Sequence, residues 1–302
     1  MNNQPLVSII MNCYNGAKYL EDSLQSIVNQ TYQNWELIFW DNVSFDNSKK
    51  IFEKFRDKRF KYYLAPKHEP LYRARNLAIK KANGEFISFL DTDDIWLNDK
   101  LTKQIKLFSN KNIGLVYGNY WRYNPLRFFD KKRLAYSKKL PSGKITEILL
   151  REYFIGIISV ILRKQFLDIN QDIFNVEFNM LSDMDFVLRF SKQYEFDCVQ
   201  EPVAIYRQHE NQLQIRNLRN HSKQMINWYE KIKLSKEFGS EKNLRFIKNR
   251  CDFYEITQSI NDKLYIESLK KIIFYPNNIN KIKLLLMLFV PKKILNRIIS
   301  LT

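Results

Sequence analysis

The chain has 302 residues, 45% hydrophobic and 15% aromatic, which excludes a disordered polymer and allows one large domain or two smaller ones. Its formal net charge is +17, but Lys, Ile, Asn, Phe and Tyr are abundant throughout, so basicness alone carries little weight. Three cysteines, Cys13, Cys198 and Cys251, form neither a disulfide framework nor a CxxC metal pair and fit a reducing cytoplasm.

Position of charge says more than its total. Residues 211–302 carry 18 lysines and arginines against 7 acids, an excess of 11, which points to an anionic partner for that third. No charged leader followed by an apolar core opens the sequence. The longest uncharged apolar run, Leu284 to Val290, has seven residues where a bilayer span needs about 20.

In chain order, Leu6 to Met11 reads as a buried strand and Asn12 to Gly16 as the turn after it. A helix follows, with Leu20, Leu24, Ile27 and Val28 on one face. Trp35 to Trp40 is a second strand, closed by Asp41-Asn42-Val43-Ser44, and a helix covers Ser48 to Arg56. Phe60 to Leu64 is a third strand, Arg73 to Lys81 a helix, and Phe86 to Leu90 a fourth strand ending at Asp91. A further helix is expected near Trp96. Beyond Leu101 the alternation weakens, and from about Gln212 the chain reads as basic helices.

Strands alternating with helices imply an α/β fold with a mainly parallel sheet flanked by helices, and ligands at the carboxyl ends of its strands. The polar turns lie at those ends: Asn12 to Asn15, Asp41, and Asp91 to Asp94. Alternate residues at a strand end point the same way, so Asp91 and Asp93 converge on one point. Two converging carboxylates call for a cation such as Mg²⁺ or Mn²⁺, or else they cap the helix near Trp96. Asp41 either accepts hydrogen bonds from a base or ribose, or is a turn former.

The ordered motifs resemble glycosyltransferase family 2, inverting enzymes of the GT-A fold that include bacterial surface-polysaccharide enzymes. The resemblance rests on Val7 to Gly16, Asn29-Gln30-Thr31-Tyr32, Asp41 to Ser44 with Asp46-Asn47-Ser48, Ala74-Arg75-Asn76, and Gly84 to Asp94. It is close over residues 6–104. The division it implies is a GT-A catalytic domain over residues 1–210, with a nucleotide-binding half at 1–104 and an acceptor half at 105–210, and a helical extension over 211–302.

The resemblance further implies a donor site formed by Asn12, Tyr14, Asn15, Asp41, Arg75, Asp91, Thr92 and Asp93. Asp41 would read the base, Asp91 would serve the ribose or the metal, and Asp93 would hold Mn²⁺ or Mg²⁺ at the diphosphate. Two residues depart from the family pattern: Asn12 stands for a proline and Asn42 for the second acid of its turn. In Ser182 to Phe190, alignment on Leu188-Arg189 puts Asp183 at the catalytic base, with Ser182 in place of a glutamate and Asp185 ranked behind it. Ile205-Tyr206-Arg207-Gln208-His209 resembles the family's Tyr-Arg-x-His segment, in which His209 would complete the metal shell or contact the diphosphate.

The activity implied is metal-dependent, inverting transfer from a nucleoside-diphosphate sugar, UDP-linked, to a hydroxyl of a saccharide or lipid-linked saccharide. Residues 278–302 interleave cations with apolar residues, so they either lie on the inner face of the cytoplasmic membrane or pack on the domain or in a homodimer. A nucleic-acid-binding protein would explain the charge but not the acids at the strand ends, so nucleic acid is not an expected partner. A sugar nucleotidyltransferase would share the sheet and the metal, but no Gly-rich triphosphate loop is present.

Overall fold

The computed structural model describes residues 4–125, 131–209, 218–239 and 241–290. It divides into two units, one of Met1–Thr146 with Phe154–Arg207, the other of Glu147–Tyr153 with Gln208–Thr302.

The first unit is built on nine strands among the described residues: β1 (Val7–Cys13), β2 (Trp35–Asp41), β3 (Phe60–Leu64), β4 (Phe86–Phe89), β5 (Ile95–Trp96), β6 (Ile113–Tyr123), β7 (Lys132–Leu134), β8 (Ile161–Arg163) and β9 (Glu195–Arg207). Their order is β3-β2-β1-β4-β8-β6-β9-β5, with β7 paired to β6. The first four run parallel, as do the long β6 and β9, while β8 is antiparallel to both its neighbours. The sheet is therefore mainly parallel, as the alternation of elements predicts.

Every residue of β1 and β2 is buried. Strands buried along their whole length arise where helices cover both faces of a parallel sheet. Val7, Ile9 and Met11 pack with Leu20, Leu24 and Ile27 of α1 (Ala17–Val28). The opposite face receives α3 (Leu71–Ile79), which packs on β1 and β2. A short α2 (Ser48–Phe52) precedes β3 and ends four residues before the predicted boundary. α4 (Lys100–Ile105) follows β5 and α6 (Ser182–Gln193) precedes β9, while α5 (Thr146–Arg151) falls, after its first residue, in the second unit.

One sequence expectation fails here. The segment at Trp96 is not a helix start but β5, antiparallel to Ile205 and Ala204 of β9. Helix begins only at Lys100. A two-residue strand has no local periodicity to read; its pairing partner, more than 100 positions away in the sequence, decides it.

The second unit is helical, with α7 (Leu218–Ser235), α8 (Glu241–Asn261), α9 (Tyr265–Phe274) and α10 (Ile279–Met287). Phe253, Ile256 and Ile260 of α8 pack with Ile272, Tyr275, Leu284 and Met287. Asn278 caps α10 by accepting from the amides of Asn280 and Lys281. No described helix is long and apolar enough to cross a membrane. Residues 291–302, the last part of the predicted interfacial segment, lie outside the described residues.

Candidate active site

The carboxyl ends of β1, β2 and β4 lie side by side, because these strands pair in parallel register. The turn after β1 is tied to the loop after β2. Backbone N–H groups of Asn15, Gly16 and Ala17 donate to the side chains of Ser44, Ser48 and Asp46, each at 3.0 Å. These bonds satisfy amides at the start of α1 that a helix cannot satisfy itself. Asn15 adopts φ 53°, a left-handed conformation that asparagine tolerates, and its Oδ1 accepts from the Phe45 amide. Tyr14 is half exposed beside this turn, with its ring 4.3 Å from that of His68.

Asp41, at the end of β2, is buried. Its carboxylate accepts from the Ser44 amide at 2.8 Å and from the Tyr62 hydroxyl at 2.5 Å. The turn-forming role considered for it is thus realised. Asn42 pairs with the backbone of Glu69 in both directions, Nδ2 donating to the carbonyl at 2.7 Å and Oδ1 accepting from the amide at 3.1 Å. An aspartate could not donate the first of these bonds. The departure at Asn42 therefore has a structural reason: it fastens the loop between β3 and α3. We expect Asn42→Asp to cost about 1–3 kcal/mol of stability, measurable as a lowered thermal unfolding midpoint.

The acidic turn is gripped by α1. Ser23 Oγ donates to the carbonyls of Asp94 at 2.6 Å and Thr92 at 2.8 Å. A Cβ on Gly16 would lie 2.7 Å from Thr92 Oγ1, so glycine is required there by close approach. The Asn29-Gln30-Thr31-Tyr32 run has a mechanical role as well. Gln30 Nε2 donates to the Leu97 carbonyl, its Oε1 accepts from the Leu101 amide, and the Thr31 amide donates to Asn98. That run anchors the chain just beyond the acids.

Within the turn the three aspartates differ. Asp91 accepts from Arg75 at 2.6 Å. Asp94 is buried and accepts from the Arg207 amide. Asp93 sits half-buried between them and raises the proton affinity of both. Burial, above all, pushes the Asp91 and Asp94 carboxyls up from their ordinary values. Since β5 follows directly and helix begins only at Lys100, Asp91 and Asp93 do not cap a helix.

Arg75 is the hub. It is 2% exposed and stacked among the rings of Tyr72, Phe89 and Phe174, with centroids at 5.1–5.7 Å. The neighbouring Asn76 exchanges two hydrogen bonds with the Phe174 backbone, which locks α3 to the segment ahead of α6. On α6, Asp183 accepts from the Met184 amide at 2.8 Å, and the Tyr72 side chain acts on it electrostatically. Burial raises the Asp183 carboxyl, while the Arg75 charge, the Met184 amide and Tyr72 pull it down. Asp91 acts on it too, in the raising direction. The one guanidinium thus bonds Asp91 and acts through its charge on Asp183.

Asp185 is committed elsewhere. It is buried and holds Arg189 at 2.8 Å, the i,i+4 pair of a stabilised helix. His209 falls in the second unit. Asn76 is named in a motif without a role, and Tyr72 escapes the reading of the sequence, although it lies three residues before Arg75, on the same helix face.

Asn12 is the remaining feature. Both polar atoms of its side chain are buried with no hydrogen-bond partner among the described residues, as is Nε1 of Trp40, its neighbour across β2. Unpaired buried amides are costly, by roughly 1–3 kcal/mol each, and a native structure tolerates them where a ligand completes the bonds.

Residues 8–169 match the family model described as glycosyl transferase family 2. An Escherichia coli UDP-Glc:alpha-D-GlcNAc-diphosphoundecaprenol beta-1,3-glucosyltransferase is 37% identical over 167 residues, covering 54% of this chain and 62% of that protein. A putative teichuronic acid biosynthesis glycosyltransferase of Bacillus subtilis is 33% identical over 121 residues, covering 39% and 48%. The chain thus spans about half to three fifths of the length of these curated relatives.

Among solved structures, Staphylococcus aureus TarS 1–349 in complex with UDP-GlcNAc superposes with a TM-score of 0.64 at 19% identity, over 89% of this chain and 81% of that one. The Pyrobaculum calidifontis mannosyltransferase PcManGT, in complex with GDP-Man and Mn²⁺, gives 0.57 at 14% identity, over 99% and 88%. At such identities the likeness establishes the fold, a GT-A-like α/β arrangement followed by helices.

Proposed function

Because the chain belongs to glycosyl transferase family 2, we propose that it transfers a sugar from a nucleoside-diphosphate donor, UDP-linked, to a hydroxyl of a lipid-linked saccharide. The observation that carries this reading is the meeting of Asp91, Arg75, Tyr72 and Asp183 at the carboxyl ends of the parallel strands. Support for the donor comes from the UDP named in the Escherichia coli relative and bound in the Staphylococcus neighbour. The lipid-diphosphate acceptor named for the Escherichia coli relative supports the acceptor class.

The residues at the turn suit a divalent cation. Three carboxylates, Asp91, Asp93 and Asp94, repel one another, and Arg75 offsets only part of that charge. Mg²⁺ and Mn²⁺ are commonly held by one or two carboxylates together with substrate phosphates, so a full protein cage is not required. Asp93 would hold the ion, with Asp91, tied to Arg75, on the ribose side; among the described residues no third His, Cys, Asp or Glu joins them in a metal-binding group, so the remaining positions would fall to substrate and water. Such an ion supplies positive charge against the departing diphosphate.

The chain's own residues do the rest. Asn12 offers a donor and an acceptor to the nucleoside, and Asp41 fixes the loop beside it. Asp183, aimed by the Met184 amide, takes the proton of the acceptor hydroxyl as that oxygen attacks the anomeric carbon. The bond from that carbon to the diphosphate breaks on the opposite face, so configuration inverts.

A thermal-shift series with UDP, GDP and their sugars, with and without Mn²⁺, tests the donor site. Stabilisation by a nucleoside diphosphate that requires the ion and disappears in Asp93→Ala is the expected result. No ion-dependent shift with any nucleotide would remove the proposal.

A further inference from the structure

The second unit carries an apolar surface that its own core does not use. α9 turns Ser268 and Ile272 inward, and α10 turns Leu284 and Met287 inward, all against α8 or one another. The other sides of the same helices are also apolar. On α9 Ile266 is 77% exposed and Phe274 89%, with Ile273 between them. On α10 Ile282 and Leu286 are exposed, and Phe289, just beyond, is 86% exposed. These residues recur at helical spacing, so each helix has two apolar sides, only one of them buried. Exposed apolar side chains of this size, aligned along each helix, mark an interaction surface.

Charge identifies the partner. From Lys263 to Val290 the sequence has five lysines, no arginine and one acid, Glu267. That acid is engaged by Lys271 at 2.8 Å. Lys263, Lys270 and Lys283 are exposed, and none forms an ion pair among the described residues. Protein interfaces favour arginine and are depleted in lysine, so this composition argues against a protein partner. Lysine, a compact point charge on a long apolar stem, suits the diffuse negative charge of lipid headgroups. A bilayer also accepts protruding phenylalanine and isoleucine without a shaped pocket.

We propose that the outer sides of α9 and α10 seat the chain on an anionic lipid bilayer, with Ile266, Phe274, Ile282 and Phe289 entering the interface and Lys263, Lys270 and Lys283 against the headgroups. This places the surface upstream of most of the segment singled out in the sequence. It is independent of the donor site, since none of these residues belongs to it. A chain so seated would meet a lipid-linked acceptor by diffusion in two dimensions.

The test is co-sedimentation of the full chain with vesicles of phosphatidylcholine alone and of phosphatidylcholine containing phosphatidylglycerol. Two variants accompany it, Phe274→Asp with Phe289→Asp, and Lys263→Glu with Lys270→Glu and Lys283→Glu. Circular dichroism and nucleotide-dependent thermal shift report that both stay folded. Binding to the anionic vesicles only, weakened by salt and lowered about tenfold or more in each variant, is the expected result. Equal binding to both vesicle types, or binding to anionic vesicles unchanged in the variants, would overturn the proposal. So would a dimer in vesicle-free solution that the Phe274→Asp, Phe289→Asp variant dissociates, since the surface would then belong to a second copy.

Discussion

The Asp183→Asn variant is expected to lose about 10²–10⁴ in kcat while keeping nucleotide binding and ion dependence intact. Asparagine preserves the shape and can still accept from the Met184 amide, but it cannot take a proton. The loss therefore falls on the chemical step. The wild-type pH profile should carry the same signature. Burial raises the Asp183 carboxyl from its ordinary value near 3.8, and a base works only when deprotonated. Activity should thus fall on the acid side, at a pH above the ordinary range of an exposed aspartate, and that limb should vanish in the residual activity of Asp183→Asn. Full activity in the variant would assign the proton transfer to another group.

Arg75→Met should have the second large effect, and it should act on stability and catalysis together. Arg75 is buried, held against three rings and bonded to Asp91. Methionine keeps much of the packing but leaves Asp91 uncompensated beside Asp183. Only Arg75 of the pair is fully buried, so the cost should fall below the roughly 3–5 kcal/mol of breaking a wholly buried pair, yet denaturant unfolding followed by tryptophan fluorescence would register it. Arg75 also lowers the proton affinity of Asp183, so its removal should move the acid limb to still higher pH. Arg75→Lys keeps the charge but not the planar stack, and should recover part of both losses. An unfolding midpoint and a pH profile both equal to wild type would show that Arg75 is not the hub of this site.

The first four strands were legible because their signal is local. The run Val7 to Met11 is apolar at every position but Ser8, and polar turns close the first, second and fourth strands on the side where a parallel sheet gathers its ligands. The acidic turn could be located from the sequence, but its alternatives could not be separated there. What separates them is β5, whose existence depends on Ala204 and Ile205. Asp41 shows the converse, since the local turn with Ser44 was a simple reading and the structure contains it.

The connections between distant parts were not legible. Nothing near Arg75 in the sequence announces that it lies between Asp91 and Asp183, because α3 and α6 are brought together by Asn76 and Phe174. Nor does sequence reveal that Asn42 fastens the loop at Glu69. In the second unit, periodicity indicated helices but not which of two apolar sides each would bury. The core of α8 decides that.

The proposed mechanism is a single displacement in which Asp183 would activate the acceptor while Asp91, Thr92 and Asp93 would hold the donor. The most direct test is the anomeric configuration of the product, read by NMR from the transferred sugar when an α-linked UDP-sugar is the donor. The account predicts a β-linked product. An α-linked product would contradict it, because retention requires either a second displacement or attack from the face of the leaving diphosphate.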